Sequence, residues 1–352
     1  MTKINVALIG IGNCSSSLVQ GVESIKKTRK QKSLNVIFKS IGKYKISDIN
    51  FVAGFDIASN KVGEDLSKAI IIDPNNATNF FDVKDLGAEI YKGPVLDGVS
   101  SKVKNRIFVD VQQLPVDVKK ILKETGTDIV VNYLPTGSKK ATEFYANEAL
   151  KADCGFINAI PEPISSKSKW RSRFSNAGLP LAGDDIKSQI GGTILHRTLV
   201  DIFVKRGVFI EETTQSNESG NMDYLNLSDE VRFSSKLITK IDSIQSLIPY
   251  PTKINMPTPV FDEKNRDHRI CQISMKGRYF GDTPVSVDMM IKEEDSPNSA
   301  GSVVDVIRLM RLAMDKKISG PLDEICPFYF KHPKKQCDDD TALDRVKKFI
   351  QS

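Results

Sequence analysis

The sequence predicts an α/β protein: a doubly wound parallel sheet, joined to a second, α+β domain. Three observations carry this. Short apolar runs alternate with helical segments up to about residue 190, the rhythm of a sheet with helices on both faces. The first run ends in Gly10-Ile11-Gly12, a glycine turn between strand and helix. Beyond residue 190 the alternation gives way to longer strand-like stretches.

In chain order, residues 3–9 form a buried parallel strand, short and β-branched. Gly10 to Asn13 turn the chain, and Ser15 to Val22 have helical spacing. Residues 28–48 are polar and Lys-rich, an insertion or long loop. Phe51 to Phe55 make a strand that ends at Asp56, and Asn60 to Ile70 a helix. Residues 74–105 are irregular. Val116 to Glu124 are helical, Asp128 to Tyr133 a strand, and Ser138 to Lys151 a helix behind an N-cap serine. A strand (Gly155 to Ala159), a helix (Lys167 to Ala177) and a short strand (Pro180 to Ala182) follow. Thr193 to Arg206 are helical. Val208 to Thr214, Arg269 to Lys276 and Val285 to Ile291 are strands, the last two antiparallel across Gly277 to Gly281. Ser302 to Lys317 and Asp340 to Ile350 are helices.

The 352 residues suit two domains at about 150 residues each. With 40% hydrophobic and 27% charged residues the chain is neither disordered nor collagen-like. No stretch approaches the roughly 18 apolar residues of a membrane span, and the start does not read as a secretory signal. A cytoplasmic protein without membrane partners is expected. The net charge of +6 is spread out. Its densest basic run, Lys26 to Lys32, lacks the interleaved aromatics of a nucleic-acid binder and reads as a solvated loop. Five scattered cysteines without a CxxC pair, and only three histidines, argue against a disulfide framework or a zinc cluster.

The glycine turn lets a pyrophosphate approach the backbone, and the following helix offers free N–H groups. The motif is GxGxxS, with Ser15 in the third position. Asp56, at the end of the second strand, is placed to hydrogen-bond adenosine ribose hydroxyls, and the 28–48 insertion accounts for its late position. A carboxylate there favours NAD over NADP, whose 2′-phosphate would meet it. A Rossmann-like domain is expected, with Gly10, Gly12, Asn13, Cys14, Ser15, Asp56 and Ile57 as cofactor contacts.

GIGNCSSSLVQGVE (10–23), FVAGFDIASNKVGEDL (51–66), GPVLDGV (93–99), GDDIKSQIGGTILHRTL (183–199), SGNMDYLNL (219–227) and EDSPNSAGSVVDVIRL (294–309) resemble the myo-inositol-1-phosphate synthase family in its shorter archaeal and bacterial form. The resemblance runs nearly end to end. It implies a Rossmann domain (1–190) completed by 302–352, and a catalytic and tetramerisation domain (191–301). It implies a homotetramer that turns D-glucose 6-phosphate into 1D-myo-inositol 3-phosphate with NAD consumed and regenerated in each turnover. Oxidation at C5, loss of a C6 proton, aldol closure on C1 and reduction all follow. Steps after the first build negative charge on oxygen, so a lysine-rich site is expected.

Lys236 and Lys240, at i and i+4, share a helix face. Alone, that pattern reads as a solvated face; the resemblance makes them catalytic, as it does Lys331 after an aromatic-rich strand. Asp184 and Asp185 would flank the nicotinamide, Asp185 matching the family acid. Ser188, Gly191, Gly192 and Thr193 lead into a helix N-terminus suited to a substrate phosphate. Asn217 and Asn221 match substrate-site asparagines. Asp295 matches an acid that holds a lysine or a sugar hydroxyl, while Ser296 and Asn298 read as caps for the helix at 302. Two positions depart from the family. Arg269 stands where a lysine is usual, and arginine keeps the charge without shuttling protons. Glu218 adds a carboxylate near the phosphate site. These leave open a divergent relative acting on another sugar phosphate, or a non-catalytic NAD-binding subunit. The oxygen-rich candidate ligands suit a divalent or monovalent cation better than zinc.

Overall fold

The computed structural model describes residues 3–27 and 35–352. Residues 28–34, which hold much of the basic run and the start of the Lys-rich insertion, lie outside them.

In the first half the elements are β1 (Ile4–Ile9), α1 (Asn13–Lys27), the hairpin strands β2 (Ser40–Ile41) and β3 (Tyr44–Lys45), β4 (Ile49–Asp56), α2 (Leu66–Ala69), β5 (Ile90–Lys92), α3 (Val118–Glu124), β6 (Ile129–Asn132), α4 (Lys139–Lys151), β7 (Gly155–Asn158), α5 (Ser168–Asn176) and β8 (Pro180–Ala182). Then come α6 (Gly192–Lys205), β9 (Phe209–Ser219), α7 (Met222–Leu227), α8 (Glu230–Gln245), β10 (Lys253–Asn255), β11 (Val260–Phe261), β12 (His268–Tyr279), β13 (Thr283–Glu294), α9 (Asp295–Asp315), β14 (Gly320–Pro321), α10 (Cys326–Tyr329) and α11 (Asp339–Gln351).

The large sheet runs β5-β4-β1-β6-β7-β8-β14, and its pairs are parallel. The chain leaves β1 to one side for β4 and β5, then crosses back to β6. That reversal makes a crevice at the carboxyl ends of β1 and β6, where doubly wound sheets bind ligands. Side-chain alternation along β1 fills two cores. Val6 and Leu8 pack with α1 and α9 on one face, and Ala7 and Ile9 with α3, α4 and α5 on the other.

The smaller sheet has β9, β12 and β13 antiparallel, with β10 and β11 parallel along the outer edge of β9. Ile210 and Met275 pack on Val200 and Phe203 of α6 and Ile244 of α8. Along β9 the buried positions Thr213, Gln215, Asn217 and Ser219 alternate toward the cleft between the sheets. The sheets are tied together polarly. Asn13 Nδ2 donates to Asp267 Oδ1 (2.9 Å) and Asn76 Nδ2 to the Gly220 carbonyl (2.9 Å).

Six local expectations change. Residues 74–105, expected to be irregular, supply the edge strand β5 of the large sheet, paired on β4. The Ser138 hydroxyl donates to the Pro135 carbonyl instead of capping α4, and the Asp97 carboxylate accepts from the Lys140 and Ala141 amides there. The helix over 60–70 shrinks to α2, because Gly63 turns the chain at φ +87° and the Asp65 carboxylate caps Ser67 while also accepting from the Leu86 and Ala88 amides. The strand over 208–214 continues to Ser219, carried by its pairing with β12. The helix expected from 302 starts at Asp295, with Pro297 tolerated in its first turn, so Ser296 and Asn298 lie inside it. Ser296 bonds Asp267 instead, and Asn298 accepts from the Ile190 amide. The aromatic segment before Lys331 is the short helix α10 rather than a strand; only Phe330 beyond it bridges to Ile186.

Gly10 closes the first turn at φ +82°, and a Cβ there would meet the Tyr133 carbonyl oxygen at 2.7 Å. Gly10→Ala should therefore lose about 1–3 kcal/mol, read from urea unfolding. An unchanged unfolding midpoint contradicts this close approach.

Candidate active site

One cavity of about 260 Å³ runs from the glycine turn to the small sheet. At one end, Gly10, Gly12, Asn13 and Cys14 face Asp56, Ile57 and Ala58. The Asp56 carboxylate accepts from the Ile11 (2.8 Å), Ile57 (2.7 Å) and Ala58 (3.0 Å) amides, which fixes it at the cavity wall. A Cβ on Gly12 would meet nothing within 4 Å, so the start of α1 is open to the cavity. The first amides of that helix have no intrahelical acceptor. Further in, the buried Tyr133 hydroxyl lines the cavity with no hydrogen-bond partner among the described residues. An open helix start, a fixed acid and an unpartnered hydroxyl fit a dinucleotide. Asn13 lines the cavity but also clamps the loop at Asn76 and Ala77 through its carbonyl. Cys14 is pushed up to about 12 by burial and by Asp295 and Asp267, so it stays a thiol. Ser15 is not on the cavity wall: it is buried, and its hydroxyl donates to the Gly10 carbonyl (2.7 Å).

At the other end lies the lysine cluster. Asp185, fully buried, accepts at Oδ1 from Lys236 of α8 and from Lys331, both at 3.1 Å. Its Oδ2 accepts from Thr239 Oγ1 at 2.5 Å. Burial alone would raise this carboxyl, but the Lys236 and Lys331 ammoniums hold it well below the usual carboxylate range. Burial lowers Lys236, yet Asp185 and Asp223 outweigh it and keep Lys236 cationic. Lys240, one turn along α8, has no hydrogen-bond or ion-pair partner among the described residues. Burial, then Lys331, Arg269 and Lys236, bring it down to about 7. An amine near 7 can take up and release a proton at neutral pH; burial also lowers Lys331, against the pull of Asp185.

Arg269 pairs with Glu293 and reaches Asp295 at 2.7 Å. Thus Asp295 holds the arginine that replaces the expected lysine. Gly191 and Gly192 let α6 approach it: added Cβ atoms would meet Arg269 Nη2 at 2.6 Å and Cys271 Sγ at 2.5 Å. Ser188, Gly192, Thr193, Asn217 and Asn221 line the same cavity as Lys331, whereas Gly191 is not on its wall. Asn221 Nδ2 donates to Asp267, which burial and Asp295 raise to about 6.

Two charged positions also leave the site. Asp184 faces away from the cavity, and its carboxylate accepts from Asn158 and from the 164–166 loop (the Ile164, Ser165 and Ser166 amides and the Ser166 hydroxyl). It braces a loop and has no aim at a cofactor. Glu218 lies on the opposite face of β9 from Asn217 and accepts from Asn265 at 2.7 Å, so it is not on the cavity wall. The sequence reading passed over Lys61, Tyr133, Gln215 and Asp223, which all line the cavity. Lys61 donates to the Ile11 carbonyl (2.7 Å) and Asn75 (2.8 Å). Lys61 and Asp223 sit within the recognised motifs, and Gln215 lies one residue beyond the strand expected over 208–214, on the face that β9's continuation to Ser219 turns toward the cavity. Among the described residues no group of three or more His, Cys, Asp or Glu side chains could hold a metal ion.

The fold and cavity define a class: a Rossmann-type enzyme whose dinucleotide crevice opens onto a lysine-rich chamber. The family model described as myo-inositol-1-phosphate synthase matches residues 191–296. Inositol-3-phosphate synthase of Mycolicibacterium smegmatis is 38% identical, covering 99% of this chain and 98% of its own. That of Corynebacterium glutamicum is 36% identical, over 99% and 98%. The crystal structure of a myo-inositol-1-phosphate synthase-related protein from Thermotoga maritima shares the fold, with a TM-score of 0.83 at 22% identity over 99% of this chain and 98% of that one. The chain belongs to the myo-inositol-1-phosphate synthase family.

A lysine lowered by burial costs the fold stability wherever the unfolded chain would hold the proton. Lys240 therefore costs most at pH 7 and below, and progressively less as pH rises from about 7 toward its ordinary value. Lys240→Met should raise the unfolding midpoint at pH 6 more than at pH 9. A loss of stability at both pH values contradicts a buried, unpaired amine.

Proposed function

We propose that this chain is an NAD-dependent inositol-3-phosphate synthase that cyclises D-glucose 6-phosphate to 1D-myo-inositol 3-phosphate. The observation that carries the reading is the pairing of one buried carboxylate with two lysines beside a third, unpaired lysine lowered to about 7. The bound cofactor supplies oxidation of C5 and its later reversal. Gly12 and the start of α1 receive the pyrophosphate, and Asp56 the adenosine ribose. Lys240, neutral in a large fraction at pH 7, takes the C6 proton once C5 is a ketone. Lys236, kept charged by Asp185, faces the enolate oxygen, and Lys331 stands on the same carboxylate as a second cation. Ser188, Thr193 and the start of α6 hold the substrate phosphate. Arg269, shared between Glu293 and Asp295, acts electrostatically and leaves proton transfer to Lys240.

The reading extends to the division of labour along the chain: 1–190 with 302–352 for the cofactor, 191–301 for catalysis and assembly. It also includes a homotetramer in the cytoplasm. Exposed Tyr279, Phe280 and Met290 on the β12–β13 hairpin support self-association through that hairpin. Among the described residues no helix is long and apolar enough to cross a membrane.

Incubation with glucose 6-phosphate and NAD, followed by chromatographic separation, should yield inositol phosphate without accumulating NADH. NADH accumulation, or no product, overturns the assignment. Lys240→Met should lower turnover at least a hundredfold, within the range of general-base effects, while NAD binding by calorimetry stays near the parent's. Asp56→Ala should weaken NAD binding and narrow the preference over NADP; a parent that binds both nucleotides equally contradicts the role of Asp56.

A further inference from the structure

His196 lies outside the cavity, fully buried on α6, and the reading above gives it no role. Its ring nevertheless stands between two groups of β9 that lead to the cavity. Nε2 is 2.7 Å from Thr213 Oγ1 and Nδ1 is 3.1 Å from Gln215 Oε1. Gln215 Nε2 in turn donates to Asn217 Oδ1 at 3.2 Å, and both Gln215 and Asn217 line the cavity.

The placement of the Gln215 amide, oxygen toward the ring and nitrogen toward Asn217, sets the direction of this chain. A carbonyl oxygen donates nothing, so Nδ1 must carry a proton to bond Gln215. A ring protonated on both nitrogens is opposed by burial, which holds it down to about 4 although Gln215 favours the charged form, and by Lys240 when that amine is protonated. The ring is therefore neutral, and Nε2 is an acceptor. Thr213 must then donate its hydroxyl hydrogen to Nε2, in preference to the Ser274 carbonyl 3.0 Å away. Every bond now points one way: Thr213 hydroxyl to His196, His196 to Gln215, Gln215 to Asn217. The Asn217 carbonyl is occupied, and its amide N–H groups remain for the cavity. Bonds aligned head to tail polarise one another, which strengthens the terminal donor.

We propose that His196 is a positioning residue: in its Nδ1–H form it orients a one-way relay through Gln215 that fixes Asn217 as a hydrogen-bond donor to an oxygen of the sugar phosphate. The relay selects a ligand presenting an acceptor there and disfavours one presenting only a C–H. The inference rests on the sugar-phosphate reading for its ligand, but the state of the ring does not.

Long-range 15N–1H correlation spectra of 15N-histidine-labelled protein test the ring directly, with three histidines to assign. One ring should show the Nδ1–H neutral form, unchanged from pH 5.5 to 9. An Nε2–H form, or an imidazolium at pH 7, for His196 overturns the relay. Kinetics test its consequence. Asparagine places an amide N–H near Nδ1, whereas leucine places none. His196→Asn should keep the KM for glucose 6-phosphate within about threefold, and His196→Leu should raise it about tenfold, the size of one hydrogen bond. NAD affinity should be unchanged in both. Equal KM in the two variants, or a parallel fall in NAD affinity, reduces His196 to packing. If His196→Leu fails to fold, the spectra and His196→Asn still decide. A parent without turnover on glucose 6-phosphate, but with the Nδ1–H ring, would sink the function and leave the relay standing.

Discussion

A carboxylate with no exposed surface, gripped by two ammoniums from distant parts of the chain, organises this molecule. Asp185 follows β8, Lys236 belongs to α8 of the second unit, and Lys331 follows α10 near the C-terminus. None of the three charges is stable in the interior alone, since desolvation of an unpaired ion costs several kcal/mol. Their meeting therefore enforces the closure of three segments around one point. Backbone bonds reinforce it: the Lys331 amide donates to the Asp185 carbonyl (2.7 Å), and the Lys187 amide to the Tyr329 carbonyl (2.8 Å). Removing either lysine leaves Asp185 under-compensated, so these positions carry a structural role.

Lys240 has the opposite character. It stands near two other lysines and an arginine without a carboxylate of its own, and the cluster depresses it. Two lysines one helical turn apart thus diverge in protonation, because Asp185 reaches Lys236 and not Lys240. A site that must both stabilise an enolate and accept a proton needs that divergence. Arg269 sharpens it, for its permanent charge is neutralised by Glu293 and Asp295 yet still bears on Lys240.

The cavity depends on polar joints between the sheets as much as on the apolar cores. Asn13, at the start of α1, meets Asp267 at the entrance to β12, and Asp267 also receives Asn221 and Ser296. α9 begins in this joint and ends beneath the large sheet, so one helix spans from the active-site wall to the core.

The sequence by itself determined the parallel sheet, the glycine turn, the place of Asp56 at the end of its strand, and which lysines meet in one cavity. Those features are local, in alternation and motif spacing, or are carried by segments that resemble a family. The tertiary structure alone decided that Asp184 braces a loop while its neighbour Asp185 holds two lysines, since adjacent carboxylates are distinguished only by what packs on them. It took Glu218 out of the site by turning it to the other face of the strand. It separated Lys236 from Lys240, and set His196 between Thr213 and Gln215. Protonation and hydrogen-bond direction depend on burial and on partners far away in the chain, and neither quantity exists until the chain has folded.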